Sequence, residues 1–157
     1  MKEYTEAELK YKAEAYCSKS EHCPAEVREK LRQWGAEPEV VERILSGLAK
    51  DRFLDTSRFC RAFVRDKYRF NQWGRMKIVQ ALRMKQLPSE DIEAGLEEID
   101  EEEYNNVLKS LLAQKAKGLK AGSDYERNSK LIRFAVSRGF AMDEVLRYIR
   151  QADEFLD

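Results

Sequence analysis

The chain has 157 residues, of which 43% are hydrophobic and 37% are charged, so it can form one domain or a few small repeats with an ionic surface. Its 29 Lys and Arg residues equal its 29 Asp and Glu residues, which excludes a global positive field that would attract nucleic acid to the whole protein. The start "MKEYTEAELKYK" lacks the apolar run of a secretory signal and no later segment approaches a membrane-spanning length, so we expect a cytoplasmic protein.

The three cysteines and the single histidine do not form a recognisable metal site. Cys17, Cys23 and Cys60 are an odd set without a close pair, which argues against a disulfide framework and suits a reducing compartment. Cys17, His22 and Cys23 would need a fourth ligand to bind zinc, and no partner pair has zinc-site spacing. We therefore expect no metal and no other cofactor, and we interpret His22 as part of a turn between two helices.

The first 52 residues predict three helices. Thr5 can cap the first helix while Glu8 reaches back to it, as in a capping box. The second helix begins near Pro24 and ends near Trp34, where Gly35 supplies a left-handed stop. The third helix begins around Pro38 and carries apolar residues at helical spacing.

The next two segments follow the same order of helices. In residues 53–100 a helix runs from Asp55 or Thr56 to about Arg69, a second from Gly74 to Lys85, and a third follows Pro88. In residues 101–157 a first helix is followed by the loop "GLKAGSD" and by helices around residues 124–138 and 142–152. We interpret the loop as a flexible connection, and contact of Lys115, Lys117 and Lys120 with an anionic partner is the alternative.

An internal repeat supports this division. Shifts of 51 and then 53 residues superpose apolar positions of three segments. The superposed sets are Val27 with Ile78 and Leu131, Leu31 with Leu82 and Ala135, Ala36 with Leu87 and Phe140, Val41 with Ile92 and Val145, and Leu45 with Leu96 and Ile149. The pattern predicts an all-α protein in which three tandem three-helix repeats form an elongated, curved helical array, since one repeat alone buries too little apolar surface.

The charges are distributed unevenly along the chain. Residues 51–87 hold ten Lys and Arg against three Asp and Glu, whereas residues 88–105 hold nine acids and no base. In the first helix of the middle repeat, Arg58, Arg61, Arg65 and Arg69 fall within an arc of about 80°, and Phe59, Phe63 and Phe70 lie roughly opposite, as core residues. We name these four residues the arginine stripe. Like charges at this spacing repel one another, so we expect the stripe to contact an anionic partner, together with Lys67, Lys77 and Lys85.

Three other patterns favour structural interpretations. The acidic block "EEIDEEE", residues 97–103, is expected to be a solvated surface, because catalytic carboxylates need a pocket that shifts their pKa. Trp73 precedes Gly74 at a turn, where packing is favoured over stacking on a base. The helix after Gly35 resembles a recognition helix in position only, because it carries mainly acids and cannot read the major groove. Nothing in the sequence predicts an enzyme.

The middle segment resembles the signature of the bacterial RecX regulators. The run "FLDTSRFCRAFVRDKYRFNQWGRMKIVQALRMKQL" has the Leu-Asp pair, the Arg-Phe pair, the basic helix and the Gly of that signature, followed by the Ile and Leu helix that ends in Lys. The matching residues are Leu54, Asp55, Arg58, Phe59, Arg65, Gly74, Ile78, Leu82 and Lys85. Gln86 departs from the pattern, because the family commonly has Gly there, so this helix is expected to end differently.

The resemblance implies a function as well as a fold. Members of this family have three tandem three-helix modules, are not enzymes, and bind RecA filaments on single-stranded DNA, usually restraining ATP hydrolysis, strand exchange and co-protease activity. The expected partner is therefore a RecA filament, with single- or double-stranded DNA as a further partner, and the protein is expected to act as a monomer. Two alternatives stay open, namely a nonspecific nucleic-acid binder and a helical-repeat adaptor for an unrelated protein.

Overall fold

The computed structural model describes the backbone of residues 3–155 and the side chains of residues 3–149. This part of the chain contains nine helices and no strand, which confirms the all-α class. The helices are α1 Glu6–Lys19, α2 Pro24–Gln33, α3 Pro38–Lys50, α4 Thr56–Arg69, α5 Arg75–Met84, α6 Ser89–Leu96, α7 Glu101–Lys117, α8 Asp124–Ser137 and α9 Met142–Phe155. Over the described residues, no helix combines the length and the apolar character needed to cross a bilayer.

The helices begin where local sequence signals predict. The Thr5 hydroxyl accepts the Glu8 N–H at 3.1 Å and the Glu8 carboxylate accepts the Thr5 N–H at the same distance, so the predicted capping box is confirmed. Pro24 and Pro38 are the first residues of α2 and α3. Asp55 accepts the Arg58 N–H at 3.0 Å and therefore caps α4.

The second helix of every repeat ends in the same way. Gly35, Gln86 and Gly139 follow α2, α5 and α8 and have positive φ angles of 88°, 64° and 101°. In each case the next residue donates its N–H to a carbonyl five residues earlier, namely Ala36 to Leu31, Leu87 to Leu82, and Phe140 to Ala135. These are Schellman-type helix ends, and their spacing reproduces the sequence repeat. The expectation that α5 would end differently is wrong, because Gln86 adopts the left-handed conformation at which glycine is more common.

The superposed apolar positions form the cores of the repeats. Of the fifteen residues aligned by the shifts of 51 and 53, all are buried except Ala36 and Leu96, which are partly buried. The three tandem three-helix repeats are therefore confirmed at the level of their cores, while the predicted curvature of the array stays a prediction.

The chain divides into two compact units, and the division falls within α4 and α5. The first unit comprises Met1–Ala62 and Leu82–Gly95. Its main core lies among α1, α2 and α3 and extends to Leu54. In the same unit, α6 approaches the backbone of α4 closely, since a Cβ on Gly95 would lie 3.0 Å from the Cys60 carbonyl carbon.

The second unit comprises Phe63–Ala81 and Leu96–Asp157. Three buried rings, those of Tyr68, Tyr104 and Phe140, form a chain through its core, with ring centres 6.2 and 5.3 Å apart. At the start of α5, Gly74 and Gly139 meet backbone to backbone, and the Gly74 N–H donates to the Arg138 carbonyl at 2.7 Å. A Cβ on Gly74 would lie 2.2 Å from the Gly139 carbonyl carbon, so this contact requires glycine at position 74.

Candidate partner-binding surface

The first two residues of the arginine stripe lie in the first unit and are held by local and distant oxygens. The Arg58 Nε donates to the Glu21 carboxylate at 2.6 Å, and the same guanidinium donates to the Arg52 and Phe53 carbonyls. The Arg61 Nη1 donates to the Ser57 hydroxyl at 2.6 Å. Both side chains are partly exposed, so these bonds orient the guanidinium groups without removing them from solvent.

The last two residues of the stripe lie in the second unit and pair with the acidic block. The Arg65 Nη1 is 3.5 Å from the Glu98 carboxylate, and the Arg69 guanidinium donates through Nε at 2.6 Å and Nη2 at 3.3 Å to the two oxygens of Glu103. The Glu103 carboxylate also raises the pKa of Arg69 above its ordinary value. The paired side chains of Arg65 and Arg69 remain 41% and 42% exposed.

These pairs correct the interpretation of the acidic block. Glu98 and Glu103 do not form a uniformly solvated acidic surface but ion pairs with α4, and Glu101 pairs with Arg75 at the start of α5. The mutual repulsion of the arginines is therefore offset by carboxylates from other elements, at sequence separations of 33, 34 and 37 residues for Arg65, Arg69 and Arg58. No local sequence pattern indicates pairs at such separations, so these partners were not predicted.

Lys67 and Lys77 differ from the arginines because their neighbour is an aromatic ring. Their Nζ atoms lie 4.8 and 4.5 Å from the centre of the Trp73 ring, within cation–π distance. Trp73 is partly buried and packs edge-on against Phe63, with ring centres 6.3 Å apart, as the packing interpretation predicts. Within the described residues, neither lysine has a carboxylate within 4 Å, so the charge of both is available to a partner.

Lys85 belongs to the first unit and is paired. Its Nζ donates to the Glu26 carboxylate at 3.1 Å, and the same carboxylate accepts the Cys23 N–H at 3.1 Å. Burial acts to raise the pKa of Glu26, but the Cys23 N–H and the Lys85 ammonium group together hold that pKa below its ordinary value. Lys85 therefore fixes the start of α2 in addition to carrying a positive charge.

The placement of Phe70 in the core is wrong. Phe59 is buried at 5% exposure and Phe63 is partly buried, whereas Phe70 is 79% exposed. The Phe70 N–H donates to the Asp66 carbonyl at 2.9 Å, so the helical phase reaches this residue. Phe70 follows the last residue of α4, however, and the core does not cover its side chain there. Gln72, with a φ of 57°, then turns the chain toward α5.

The cysteines and the histidine take structural positions. The His22 ring stacks on Tyr16 with ring centres 3.7 Å apart, and its Nδ1 lies 3.3 Å from the Glu26 carboxylate. Burial raises the pKa of Cys17 and Cys60 to about 11, so neither thiol is a nucleophile at neutral pH. Among the described residues, no group of three or more His, Cys, Asp and Glu side chains has the arrangement of a metal site.

Comparison with protein families matches each repeat to a family model. Residues 10–48, 57–96 and 101–149 match the models described as the first, second and third three-helix domains of RecX. Together these matches cover most of the chain.

Individual proteins and solved structures agree with these matches. The chain is 30% identical over 155 residues to the "Regulatory protein RecX" of Ralstonia pickettii, covering 95% of this chain and 91% of that protein. It is 33% identical over 132 residues to the protein of the same name from Pseudomonas fluorescens, covering 84% and 83%. A crystal structure of RecX from Lactobacillus salivarius superposes with a TM-score of 0.81 at 18% identity, covering 94% of this chain and 96% of that chain. Another crystal structure, of a regulatory protein RecX, superposes with the same TM-score at 23% identity, covering 92% of this chain and 74% of that chain. At these identities the structures support the fold alone.

Proposed function

The chain belongs to the RecX family of regulatory proteins, and from this premise we propose that it binds RecA filaments on single-stranded DNA and restrains their activity. The restrained activities are ATP hydrolysis, strand exchange and co-protease function in DNA repair and the SOS response. The protein acts as a non-catalytic monomer in the cytoplasm, where recombination filaments assemble on chromosomal DNA.

The observation that carries this proposal is the oriented and still exposed cationic face of α4. The guanidinium groups of Arg58, Arg65 and Arg69 are fixed by single carboxylates, and their side chains are 37%, 41% and 42% exposed. A guanidinium has five N–H donors in a planar fork, so one carboxylate leaves donors for a second oxygen. A phosphate or an acidic protein surface can therefore add to each pair without first breaking it.

Lys67 and Lys77 extend the same function in the second unit. Their ammonium groups are held beside Trp73 rather than by an acid, so binding an anion costs no ion pair. Complementary charges across an interface favour specificity and fast association more than raw affinity. A surface with such charges suits a filament that repeats the same charged protomer. The bound protein occupies successive RecA protomers, and this hinders both the extension of the filament and the conformational changes of its protomers.

The test is DNA-dependent ATP hydrolysis by RecA at concentrations of this protein too low to coat the DNA. The variant Arg58→Ser/Arg61→Ser/Arg65→Ser/Arg69→Ser should need about tenfold more protein for the same inhibition, because each charge pair at an interface contributes only a modest free energy. Circular dichroism should show unchanged helicity. If this variant inhibits as well as the unmodified protein, the assignment of the arginine stripe is wrong.

A matched control separates lost contacts from lost stability. The variant Glu21→Gln/Glu98→Gln/Glu103→Gln removes the same ion pairs of Arg58, Arg65 and Arg69 but keeps the arginines. It should inhibit at least as well as the unmodified protein. If it loses inhibition as the arginine variant does, the ion pairs matter for folding and the stripe is not the contact surface.

The variant Lys67→Gln/Lys77→Gln tests the lysines independently, because it breaks no ion pair of the described residues. Reduced inhibition with an unchanged midpoint of thermal unfolding supports a role of these lysines in binding. Full inhibition by this variant excludes them from the contact surface.

A further inference from the structure

The second unit of the chain carries charges of opposite sign at the two ends of α7. The acidic block precedes this helix and enters its first turn. The end of α7 belongs to residues 109–138, which hold eight Lys and Arg against two acids. We name two sets of exposed side chains at these ends the acidic pole, Glu97, Asp100 and Glu102, and the basic pole, Lys115, Lys117 and Lys120.

The two poles do not neutralise each other within one chain. Among the described residues, the acids of the acidic pole have no Lys or Arg within 4 Å, and the lysines of the basic pole have no carboxylate within that distance. From Glu102 to Lys117 the helix rises about 22 Å, at 1.5 Å per residue, whereas salt screens exposed charges beyond about 10 Å. Because α7 holds the poles this far apart, the partner of each pole must be another molecule.

The two poles also differ in shape. The acidic pole contributes to a concave surface of about 430 Å³. Carboxylate, amide and hydroxyl oxygens line it, and all of them can accept from an ammonium group. The lining includes Gln72, Asp100, Glu102, Asn106 and Ser110.

The basic pole projects from the unit. Lys120 lies in the loop between α7 and α8, and residues 120–126 are all exposed. The Lys130 Nζ donates to the Lys120 carbonyl at 3.2 Å, which holds the loop against α8. A lysine on this loop can therefore enter a concave acidic surface of another molecule.

A second copy of this chain fits both poles. A polyanion would fit only the basic pole, and a basic peptide would fit only the acidic pole. The 29 basic and 29 acidic residues cancel, so two copies do not repel each other through their net charge. A contact between two different surfaces of the same protein can continue from copy to copy, as binding along a filament requires.

We propose that the basic pole of one copy docks into the acidic pole of the next, so that copies bound to one filament associate head to tail and bind cooperatively. The contact itself needs no filament, whereas its part in cooperative binding rests on the proposed function. Exposed ion pairs are individually weak, so the free chain stays monomeric. Copies that a filament holds side by side meet at a high effective concentration, at which a weak contact is sufficient.

The first test uses the free full chain at high protein concentration and low salt. An equal mixture of nitrogen-15-labelled and unlabelled chains is treated with a carbodiimide, which joins a lysine directly to a carboxylate that it contacts. Mass spectrometry should find cross-links between the two isotopic forms that join Lys117 or Lys120 to Glu97 or Glu102, and these should disappear at high salt. The proposal is overturned if such cross-links are absent or are spread equally over other exposed lysines and acids.

The second test reverses the charge of each pole and follows association by sedimentation equilibrium under the same conditions. The variant Lys117→Glu/Lys120→Glu has two acidic poles, and Glu97→Lys/Glu102→Lys has two basic poles. Each variant alone should associate about tenfold more weakly than the unmodified chain, because repulsion replaces attraction. An equal mixture of the two variants should associate again, because each then meets a complementary pole. If the mixture stays monomeric, association of the unmodified chain uses other surfaces and the proposal is wrong.

Inhibition of ATP hydrolysis by RecA distinguishes this proposal from the proposed function. Inhibition by the unmodified chain should rise more steeply with concentration than a one-site curve. Each charge-reversed variant alone should give a one-site curve, and their mixture should restore the steep one. The control Lys19→Glu/Lys50→Glu makes the same change of charge at exposed positions of α1 and α3 and should keep the steep curve.

The two proposals fail in different ways. A one-site curve for the unmodified chain overturns cooperative binding and leaves inhibition of RecA in place. Cross-links between the poles without any inhibition of RecA support the contact and contradict the proposed function. Loss of the steep curve in the control as well would attribute cooperativity to net charge and overturn the assignment of the poles.

Discussion

The two basic stretches of the chain, residues 51–87 and 109–138, have a similar excess of positive charge but different surroundings. In the first, Arg58, Arg65, Arg69, Arg75 and Lys85 all have carboxylate partners. In the second, among the described residues, Lys130 is paired while Lys115, Lys120 and Arg133 are not. Charge counted along a sequence therefore does not measure the charge that a partner meets, because long-range ion pairs decide how much of it is available.

The largest expected effect concerns a backbone contact in the second unit. There Gly74 of the first stretch meets Arg138, the last residue of the second stretch, and the adjacent Gly139. A Cβ on Gly139 would lie 2.5 Å from the Lys77 Cβ, and the φ of Gly139 is 101°. Gly139→Ala should therefore lower the free energy of unfolding by about 3 kcal/mol, because both overpacking and an unfavourable φ act against it. Urea unfolding followed by circular dichroism measures this loss.

The first repeat offers a matched control for this variant. Gly35 has a comparable φ of 88° but nothing within 4 Å of the position of a Cβ. Gly35→Ala should cost only about 1 kcal/mol, the contribution of the left-handed backbone alone. Equal losses in the two variants would show that the close approach of Gly74 and Gly139 does not matter for stability.

Much of the fold was predictable because it depends on local signals. The capping box of Thr5 and Glu8, the prolines at the starts of α2 and α3, and the helical spacing of apolar residues all act within a few residues. Phe70 was misplaced because helical phase alone does not show where the core stops. Its N–H still makes a helical hydrogen bond to Asp66, but its ring is exposed at the end of α4.

Less of the candidate surface was predictable, because it depends on tertiary partners. The sequence indicates a stripe of arginines on α4, and the structure adds that Glu21, Glu98 and Glu103 orient three of them. It also shows that Trp73 is occupied by Lys67 and Lys77 rather than open to a base. The ion pairs join residues that are 33 to 37 positions apart, which no local spacing reveals, whereas Trp73 and Lys77 are only four residues apart.

A second prediction concerns a paired cation of the first stretch, Lys85, through its partner Glu26. Glu26→Gln should lower the free energy of unfolding by about 1.5 kcal/mol at neutral pH, because the carboxylate accepts from both the Cys23 N–H and Lys85. The folded state lowers the pKa of Glu26 from 4.5, so its charged form stabilises the folded state above that pH. As the pH falls below 4.5 and through the lowered value, the unmodified protein loses this contribution. The difference between the two proteins, measured by urea unfolding at several pH values, should shrink accordingly, and a difference independent of pH would contradict the role of the charge.

A third prediction concerns the removal of the carboxylates that pair with arginines of the first stretch. Without them, these arginines would be unpaired, as Lys115, Lys120 and Arg133 are among the described residues of the second stretch. Glu98→Gln/Glu103→Gln removes the partners of Arg65 and Arg69. Affinity for a polyanion such as heparin should rise about fivefold, or ~1 kcal/mol, because exposed ion pairs are individually weak and the freed charges become available. The gain should disappear at high salt, where exposed charges are screened.

The control for this variant is Glu37→Gln/Glu39→Gln, which removes two acids at the exposed start of α3. A rise as large as that of Glu98→Gln/Glu103→Gln would attribute the effect to net charge rather than to the release of Arg65 and Arg69.

The smallest expected effect concerns the type of helix end found at the end of both stretches. Gln86 follows the second helix of the middle repeat and Gly139 follows that of the third repeat, both with positive φ. Gln86→Gly should raise the free energy of unfolding by about 0.5 kcal/mol, because the left-handed conformation costs a side-chain-bearing residue about 1 kcal/mol and part of that gain is offset by the greater freedom of glycine in the unfolded chain. Gln80→Gly, in the middle of α5 and exposed, should instead lower stability by about 1 kcal/mol. A loss of stability in both variants, measured by urea unfolding, would mean that the Gln86 side chain stabilises this helix end through contacts that outweigh its backbone strain.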